Sequence, residues 1–425
     1  MAKEQDKEIT ADDLTGFKML RRVRGMLAYL HEVGCDRDKA GNRKLHFDDY
    51  VVLVLLYLMN PMIDSLQTLQ KVADLREVRK RLGIKRFSLG SFSESCRVFK
   101  PEMLQQVVRQ LGGELQPVGR DELFKQLPGR LTLVDGSLLN TLSTVAEAIY
   151  LPLAGGKHSH AWRLHLQFDV DHHVPSAWEI TTPKNTGKSD EKNALRRTLQ
   201  PDHTYVMDRW YAQFVLWNDI KAAGSSYVCR VRDNSQYEVL EDRPLSQEAI
   251  DAGILSDQIV IIGLSKKPGE RANHPTRLIC VKSVPHQKRG KGKKKGGGQT
   301  GPTSDGTLRI VTDLLDVPAH VIAALYEYRW TIEVFFRFFK QTLGCRHLLS
   351  TKQEGVQIQV YAAVICCMML NSLTGLKPTK WHVTLMALYM QGLATEEDVA
   401  RELNKPDRTG EKLRKKDELW KYWGI

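Results

Sequence analysis

The chain has 425 residues, with 62 Lys and Arg against 50 Asp and Glu, and so carries a formal net charge of +12. That length is beyond a peptide-sized module and supports roughly two to four domains with a substantial core. The positive surplus favours nucleic acid ahead of membrane as partner, since neither an amphipathic Lys-rich helix nor a lipidation signal accompanies it.

The seven cysteines (Cys35, Cys96, Cys229, Cys280, Cys345, Cys366, Cys367) are odd in number and scattered, with no C-x-x-C among them. A disulfide framework and a zinc ribbon are thereby disfavoured, and a reducing compartment is expected. The N-terminal stretch MAKEQDKEITADD is polar and acidic, so no signal peptide is expected and the protein is expected to stay inside the cell. Residues 12–125 then read as helices, with starts and stops at Asp48, Pro61, Asp64, Gly83, Ser91 and Pro101. The expectation is an all-α N-terminal domain over residues 1–125 that contacts DNA. Its basic residues cluster at Arg21, Arg22 and Arg24 and again at Lys80, Arg81, Lys85 and Arg86, where phosphate tracking and plain solvated charge are both open. The apolar runs Val51–Met59 and Tyr361–Leu370 are half the length of a membrane helix and read as core helices.

A different pattern starts over residues 126–233. LTLVDGS is a short apolar strand that runs into Asp135 and Gly136; taken alone, an Asp-Gly there is usually a turn or cap. WRLHLQFDV and VPSAWEITT flank Asp171-His172-His173 and predict a β-hairpin. Ser189 is a candidate N-cap for SDEKNALRRTLQ, and HTYVMDRWY supplies a strand that ends in Asp208. A helix over residues 210–223 and the strand SYVCRVR follow, so the order is that of an α/β domain with helices packed on a mixed sheet. His158, His160 and His165 are spaced as strand alternation alone would space them and have no Cys partner, so zinc is not expected. Lys184, Lys188, Lys192, Arg196 and Arg197 either line a DNA path or are surface helix charge.

Residues 234–312 read as a β-rich insertion with the strands QIVIIGL, RLICVKSV and LRIVTDLL. Its loop carries Lys288, Arg289, Lys291, Lys293, Lys294 and Lys295 followed by glycines, a composition that cannot bury a core. We expect a basic finger on DNA there, with a solvated linker as the alternative. Residues 313–376 return to the α/β pattern with a helix after Pro318, and 377–425 read as a helical basic tail with Trp420 and Trp423.

In the stretch YEYRWTIEVFFRFFK, Tyr326, Arg329, Glu333 and Lys340 fall at offsets 0, 3, 7 and 14. On a helical wheel they share one stripe about 60° wide. Leu325, Tyr328, Ile332, Phe335, Phe336 and Phe339 collect on a neighbouring flank that is predicted to be buried. An i,i+4 ion pair between Arg329 and Glu333 would have the same spacing. Asp135 and Asp208 at strand ends, with Glu333 from a packed helix, supply oxygen donors that suit a pair of hard divalent cations and phosphoryl-transfer chemistry.

These residues resemble the DDE transposases of the insertion sequence 4 group. Tyr326, Arg329, Glu333 and Lys340 match that group's Y-(2)-R-(3)-E-(6)-K signature, Asp135 stands in an LVDGS-type first motif, and Asp208-Arg209-Trp210-Tyr211 resembles the D-R-G-Y second motif. The resemblance implies an RNase H-like mixed sheet interrupted by a β-rich insertion. It also implies a metal-dependent enzyme that nicks transposon ends to free a 3′-hydroxyl and joins that end to target DNA. Asp135, Asp208 and Glu333 would be the ligands of two Mg²⁺ or Mn²⁺ ions. Tyr326, Arg329 and Lys340 would grip phosphates, with Arg209 beside them. Double-stranded DNA, both terminal inverted repeats and target, would be the partner of a homodimer in the synapse. No membrane would be involved, and the compartment would be the prokaryotic cytoplasm at the nucleoid.

The chain departs from the group at two points. Trp210 stands in place of Gly, and no Trp lies between residues 235 and 310, where relatives with a hairpin mechanism stack a flipped base; Tyr237 is a candidate substitute, and the hairpin route is left unassigned. A metal-dependent nuclease that cuts without joining is one alternative reading. A domesticated DNA-binding protein without catalysis is the other, and the three acids speak against it.

Overall fold

The computed structural model describes residues 18–405 apart from 40, 61, 142–148, 153–157, 183–186, 265–266, 268–269, 283–305, 344–347, 351, 376 and 391–392. The basic loop residues Lys288, Arg289, Lys291, Lys293, Lys294 and Lys295 therefore lie outside the described residues, as do Lys184, Cys345, Trp420 and Trp423. Helices α1 (Lys18–Leu27), α2 (Phe47–Met59), α3 (Leu66–Ala73), α4 (Arg76–Leu82), α5 (Leu89–Ser95) and α6 (Gln105–Gly112) come first. Strands β1 (Arg130–Thr141), β2 (Ile149–Pro152), β3 (His158–Asp169) and β4 (Val174–Thr181) follow, then α7 (Glu191–Arg197), β5 (His203–Met207), α8 (Phe214–Ala222) and β6 (Ser226–Arg230). Next come β7 (Tyr237–Asp242), α9 (Gln247–Asp251), β8 (Ile254–Ile262), β9 (Thr276–Lys282) and β10 (Thr307–Thr312). The chain continues as α10 (Ala319–Tyr328), α11 (Trp330–Arg337), α12 (Gln353–Thr374), α13 (Lys380–Met390) and α14 (Glu396–Leu403). These elements gather into two compact units, the first from residues 1–119, 136–190 and 332–405, the second mainly from 120–135 and 191–331.

In the first unit two short helices start where a serine side chain supplies the cap. Ser65 Oγ accepts the Thr68 N–H at 3.1 Å to open α3, and Ser88 Oγ accepts the Ser91 N–H at 3.0 Å to open α5. Helix α2 is buried at every position from Phe47 to Leu58, which makes it the centre of this unit. Its two buried acids find partners outside the helix, Asp48 in His31 Nδ1 at 3.0 Å and Asp49 in the Arg24 guanidinium at 2.8 Å. Helix α12 packs on α2, α6 and β4, with Tyr361 edge-on to Trp178 at 4.8 Å. At 22 residues it far exceeds the ten-residue run read from the sequence. By length and composition Gln353–Ser372 would suffice to cross a membrane, but this stretch is mostly buried inside the protein. The β3–β4 hairpin forms as expected, and Asp169 closes its turn by accepting the N–H groups of Asp171 at 2.8 Å and His172 at 3.2 Å.

The second unit is a mixed sheet. Strands β1, β5 and β6 run parallel, β10 pairs antiparallel with β6, and the antiparallel strands β9, β8 and β7 continue the same sheet. Strands from the 234–312 segment thus extend the sheet of the 126–233 segment. All five residues of β5 are buried, as a parallel strand covered on both faces requires. Tyr205, Met207, Tyr227 and Cys229 form a core with Leu216, Trp217 and Ile220 of α8, where Trp217 stacks on Tyr227 at 4.9 Å. Helix α10 packs against β5, β6, β8 and β9. Three elements depart from the sequence reading. Strand β1 does not end at Asp135 but runs on through Gly136 to Thr141, so the Asp-Gly pair is neither a turn nor a cap. The short edge strand β7 was not anticipated, and the helix expected from residue 210 starts only at Phe214, because Asp208 first caps a 3-10 turn over Arg209–Tyr211.

Candidate active site

The register of β1 on β5 builds the site. Arg130 pairs with His203, and the pairing runs in step to Val134 and Met207. Asp135 and Asp208 are each the next residue. Asp208 is still extended, at φ −79° and ψ 177°, so the alternation of faces carries both acids out on the same side of adjacent strands. Neighbouring strands lie about 4.8 Å apart, which puts the two carboxylates within reach of one ligand. Gly129 pins the start of β1. Its φ is +64°, and a Cβ there would come 2.5 Å from the Asp202 carbonyl oxygen, so no other residue lets β1 approach β5 this closely.

Both acids are half-buried and already oriented. Asp208 Oδ1 accepts the Trp210 N–H at 2.8 Å, which fixes the carboxylate and leaves its second oxygen for another partner. Arg329 Nη1 stands 3.9 Å from Asp135 Oδ2, and its guanidinium carbon is 5.8 Å from the centre of the Tyr326 ring. Burial pushes the Tyr326 phenol up to about 12 against the opposing pull of Arg329, so at neutral pH it is a hydrogen-bond donor. Cys229 Sγ bonds the Asp208 carbonyl at 3.4 Å. Complete burial, and then the Asp208 charge, drive its thiol well above the ordinary value, so it stays protonated and is neither nucleophile nor ligand.

Glu333 and Lys340 belong to the other compact unit. Glu333 is half-buried on α11, and Lys340 Nζ donates to Ser137 Oγ at 2.5 Å, a residue of β1 two positions beyond Asp135. Ser137 was not singled out from the sequence; its only signal is its place in the LVDGS motif. The apolar flank is found as expected, with Leu325, Ile332, Phe335, Phe336 and Phe339 buried and Tyr328 half-buried. The uniform wheel is not. Helical geometry persists through Arg329, but Phe338–Thr342 is a π-helical turn closed by the Leu343 N–H on the Phe338 carbonyl at 3.2 Å. A wider turn rotates less per residue, so a constant 100° step misplaces Lys340.

The remaining basic candidates divide. Arg209 is exposed, and Lys192 lies with its ammonium 5.0 Å from the Trp210 ring centre. Arg196 is tied to Asp219 at 2.6 Å, Arg22 to Glu114 at 2.5 Å, and Arg24 to Asp49 at 2.8 Å. Lys80, Arg81 and Lys85 are exposed. His165 is a core residue, bonded through Nε2 to Thr181 at 2.8 Å. Tyr237 is half-buried against the sheet core. His31, Asp48 and Asp49 bring ligand atoms within 4.8 Å of one another, an unforeseen cluster, but Arg24 supplies its cation already.

Residues 126–370 match the family model described as the transposase DDE domain. Among curated relatives, a putative transposase y4zB of Sinorhizobium fredii is 26% identical over 49% of this chain and 52% of its own length. A probable transposase for insertion sequence element IS5377 of Geobacillus stearothermophilus is 37% identical over 18% of this chain and 21% of its own length. The putative transposase InsL for insertion sequence element IS186A of Escherichia coli is 24% identical over 57% of this chain and 66% of its own length. The chain thus spans about half the length of the first of these relatives. Among solved structures, a piggyBac transposase synaptic complex with hairpin DNA aligns with 96% of this chain and 84% of its own, at 10% identity and a TM-score of 0.43.

Proposed function

Because the chain belongs to the transposase DDE domain family, we propose that it is an insertion-sequence DNA transposase of the insertion sequence 4 group with an RNase H-like catalytic core. It nicks DNA at transposon ends to free a 3′-hydroxyl and joins that hydroxyl to target DNA. Its partners are the double-stranded terminal inverted repeats and the target, and two copies act in the synapse, at the nucleoid of a prokaryotic cell.

The observation that carries this reading is the in-step pairing of β1 with β5, which ends at Val134 and Met207 and leaves Asp135 and Asp208 as neighbouring carboxylates beside a guanidinium and a neutral phenol. Oxygen-only donors of this kind fit hard divalent cations, so Asp135, Asp208 and Glu333 are the proposed ligands of a pair of Mg²⁺ or Mn²⁺ ions. Such ions supply an activated oxygen nucleophile and stabilise the leaving oxygen of an in-line displacement. The protein's own groups do the rest. Tyr326 donates a hydrogen bond to a phosphate oxygen, Arg329 and Lys340 offset the negative charge carried by the phosphoryl oxygens in the transition state, and Arg209 meets the strand outside. The helical segment 1–125 and the basic run Lys288–Lys295 add sequence-independent grip on the phosphates.

The test is excision in cells of a marker flanked by the gene's native DNA borders, by wild type and by Glu333→Gln and Asp208→Asn. The amides keep shape and lose the anionic oxygen. Excision by wild type alone is expected; equal excision by all three would end the three-acid assignment. Shortening the 288–295 run should flatten the salt dependence of DNA binding, and an unaltered slope would remove that loop from the interface.

A further inference from the structure

Strand β7 closes one end of the sheet in the second unit. It pairs antiparallel with β8 on one side, and among the described residues no strand pairs with its other side. An edge of this kind keeps backbone donors and acceptors available for a further strand. Across residues 237–251, Glu238, Glu241, Asp242, Glu248 and Asp251 are all exposed, and among the described residues none of the five is ion-paired. The single cation of that stretch, Arg243, donates instead to the Leu315 carbonyl. Five acids against one Arg make this a negative surface on a chain of net charge +12. Between the acids, Val239 is 41% and Leu240 58% exposed, and Leu240 is the extra residue where the register of β7 on β8 shifts.

Such an edge repels the phosphates of DNA. It also rejects a second copy of itself, because antiparallel pairing of β7 with β7 about its centre sets Glu238 against Glu241 twice. Acids that served only to blunt the edge would not need two exposed aliphatic side chains among them. We propose that the β7 edge is a docking site for an extended Lys- and Arg-rich segment of another protein, added to the sheet as one more strand. Main-chain hydrogen bonds hold the segment, its cations lie beside Glu238, Glu241 and Asp242, and its apolar groups cover Val239 and Leu240.

The probe is a fluorescein-labelled peptide of alternating Lys and Val, compared with the same peptide N-methylated at every backbone amide, which keeps the charge and removes the donors. Net positive charge on the chain repels both, so binding has to be local. Anisotropy titrations use the full chain, as wild type and with Glu238→Lys and Glu241→Lys together. Wild type should bind the plain peptide about tenfold or more tightly than the methylated one, and the double reversal should weaken that binding about tenfold. The plain peptide should also slow amide hydrogen exchange in β7 of wild type, a readout independent of how the variant folds. Equal affinity for the two peptides, undiminished binding by the reversed chain or unprotected β7 amides would overturn the proposal. So would self-association of wild type that the reversal abolishes, which would make β7 an interface between copies. None of these readouts involves DNA cleavage, so failure here leaves the transposase reading untouched.

Discussion

The guanidinium of Arg329 lies 3.9 Å from the carboxylate of Asp135, close enough to neutralise an acid that has another acid, Asp208, on the adjacent strand. In the proposed reaction Arg329 has two opposed effects. Its charge disfavours a cation at Asp135, and the same charge favours the transition state. Arg329→Ala should therefore tighten Mn²⁺ binding by about fivefold, read by titration calorimetry, while it slows strand cleavage by about 10²-fold or more. Arg329→Lys should keep part of the charge effect but not the fork geometry. Metal affinity and cleavage falling together would instead make Arg329 a structural prop.

Asp208 combines a structural task with the proposed chemical one, and substitution separates them. Asn retains the oxygen that accepts the Trp210 N–H, so Asp208→Asn should melt like wild type while cleavage is abolished. Asp208→Ala loses the cap as well and should cost about 1 kcal/mol of stability. If the Asn and Ala variants are equally destabilised in chemical denaturation, the 2.8 Å bond contributes nothing to the turn.

Arg277 is 2% exposed and grips both oxygens of Asp257, at 2.7 and 2.6 Å, while it also donates to the carbonyls of Leu314 and Val317. Pro318, the next residue, opens α10, so the pair ties β8 and β9 to the helix that carries Tyr326. Arg277→Met leaves a buried carboxylate without its partner and should lose roughly 3–5 kcal/mol, whereas Arg277→Met with Asp257→Leu should recover much of that. Urea titrations of the three proteins decide it. A double variant no better than the single would mean that the carbonyl bonds, not the ion pair, carry the stability.

The parts of this structure legible in the sequence are those with a local period. Helical spacing picked out Leu325, Ile332, Phe335, Phe336 and Phe339 as a buried flank, and apolar runs leading into an acid picked out Asp135 and Asp208, although β1 does not end at Asp135 but continues to Thr141. Features set by distant partners were not legible. Five of the six residues of β7 are exposed, so it shows no buried alternation and exists through pairing with β8. Arg277 reads as surface charge until the loop at residues 314–317 closes over it. The bond from Lys340 to Ser137 spans 203 residues of sequence, and the π turn beneath it is a matter of hydrogen-bond geometry that residue types do not encode.

His173, at the β3–β4 turn, gives a pH prediction with a definite sign. Burial, reinforced by the Lys377 charge, lowers its pKa from 6.5 to about 4 against the smaller pull of Asp169 and Asp171. Between those two values the unfolded chain binds a proton that the folded chain refuses, so this residue's contribution to stability is complete above about pH 6.5 and is lost as pH falls toward 4. The full loss is on the order of 3 kcal/mol. The backbone at His173 is left-handed, φ 53°, which Asn tolerates well, so His173→Asn removes the titration with little strain. Denaturation midpoints measured from pH 4 to 7 should slope less steeply for His173→Asn than for wild type. Identical slopes would assign the acid sensitivity to other groups.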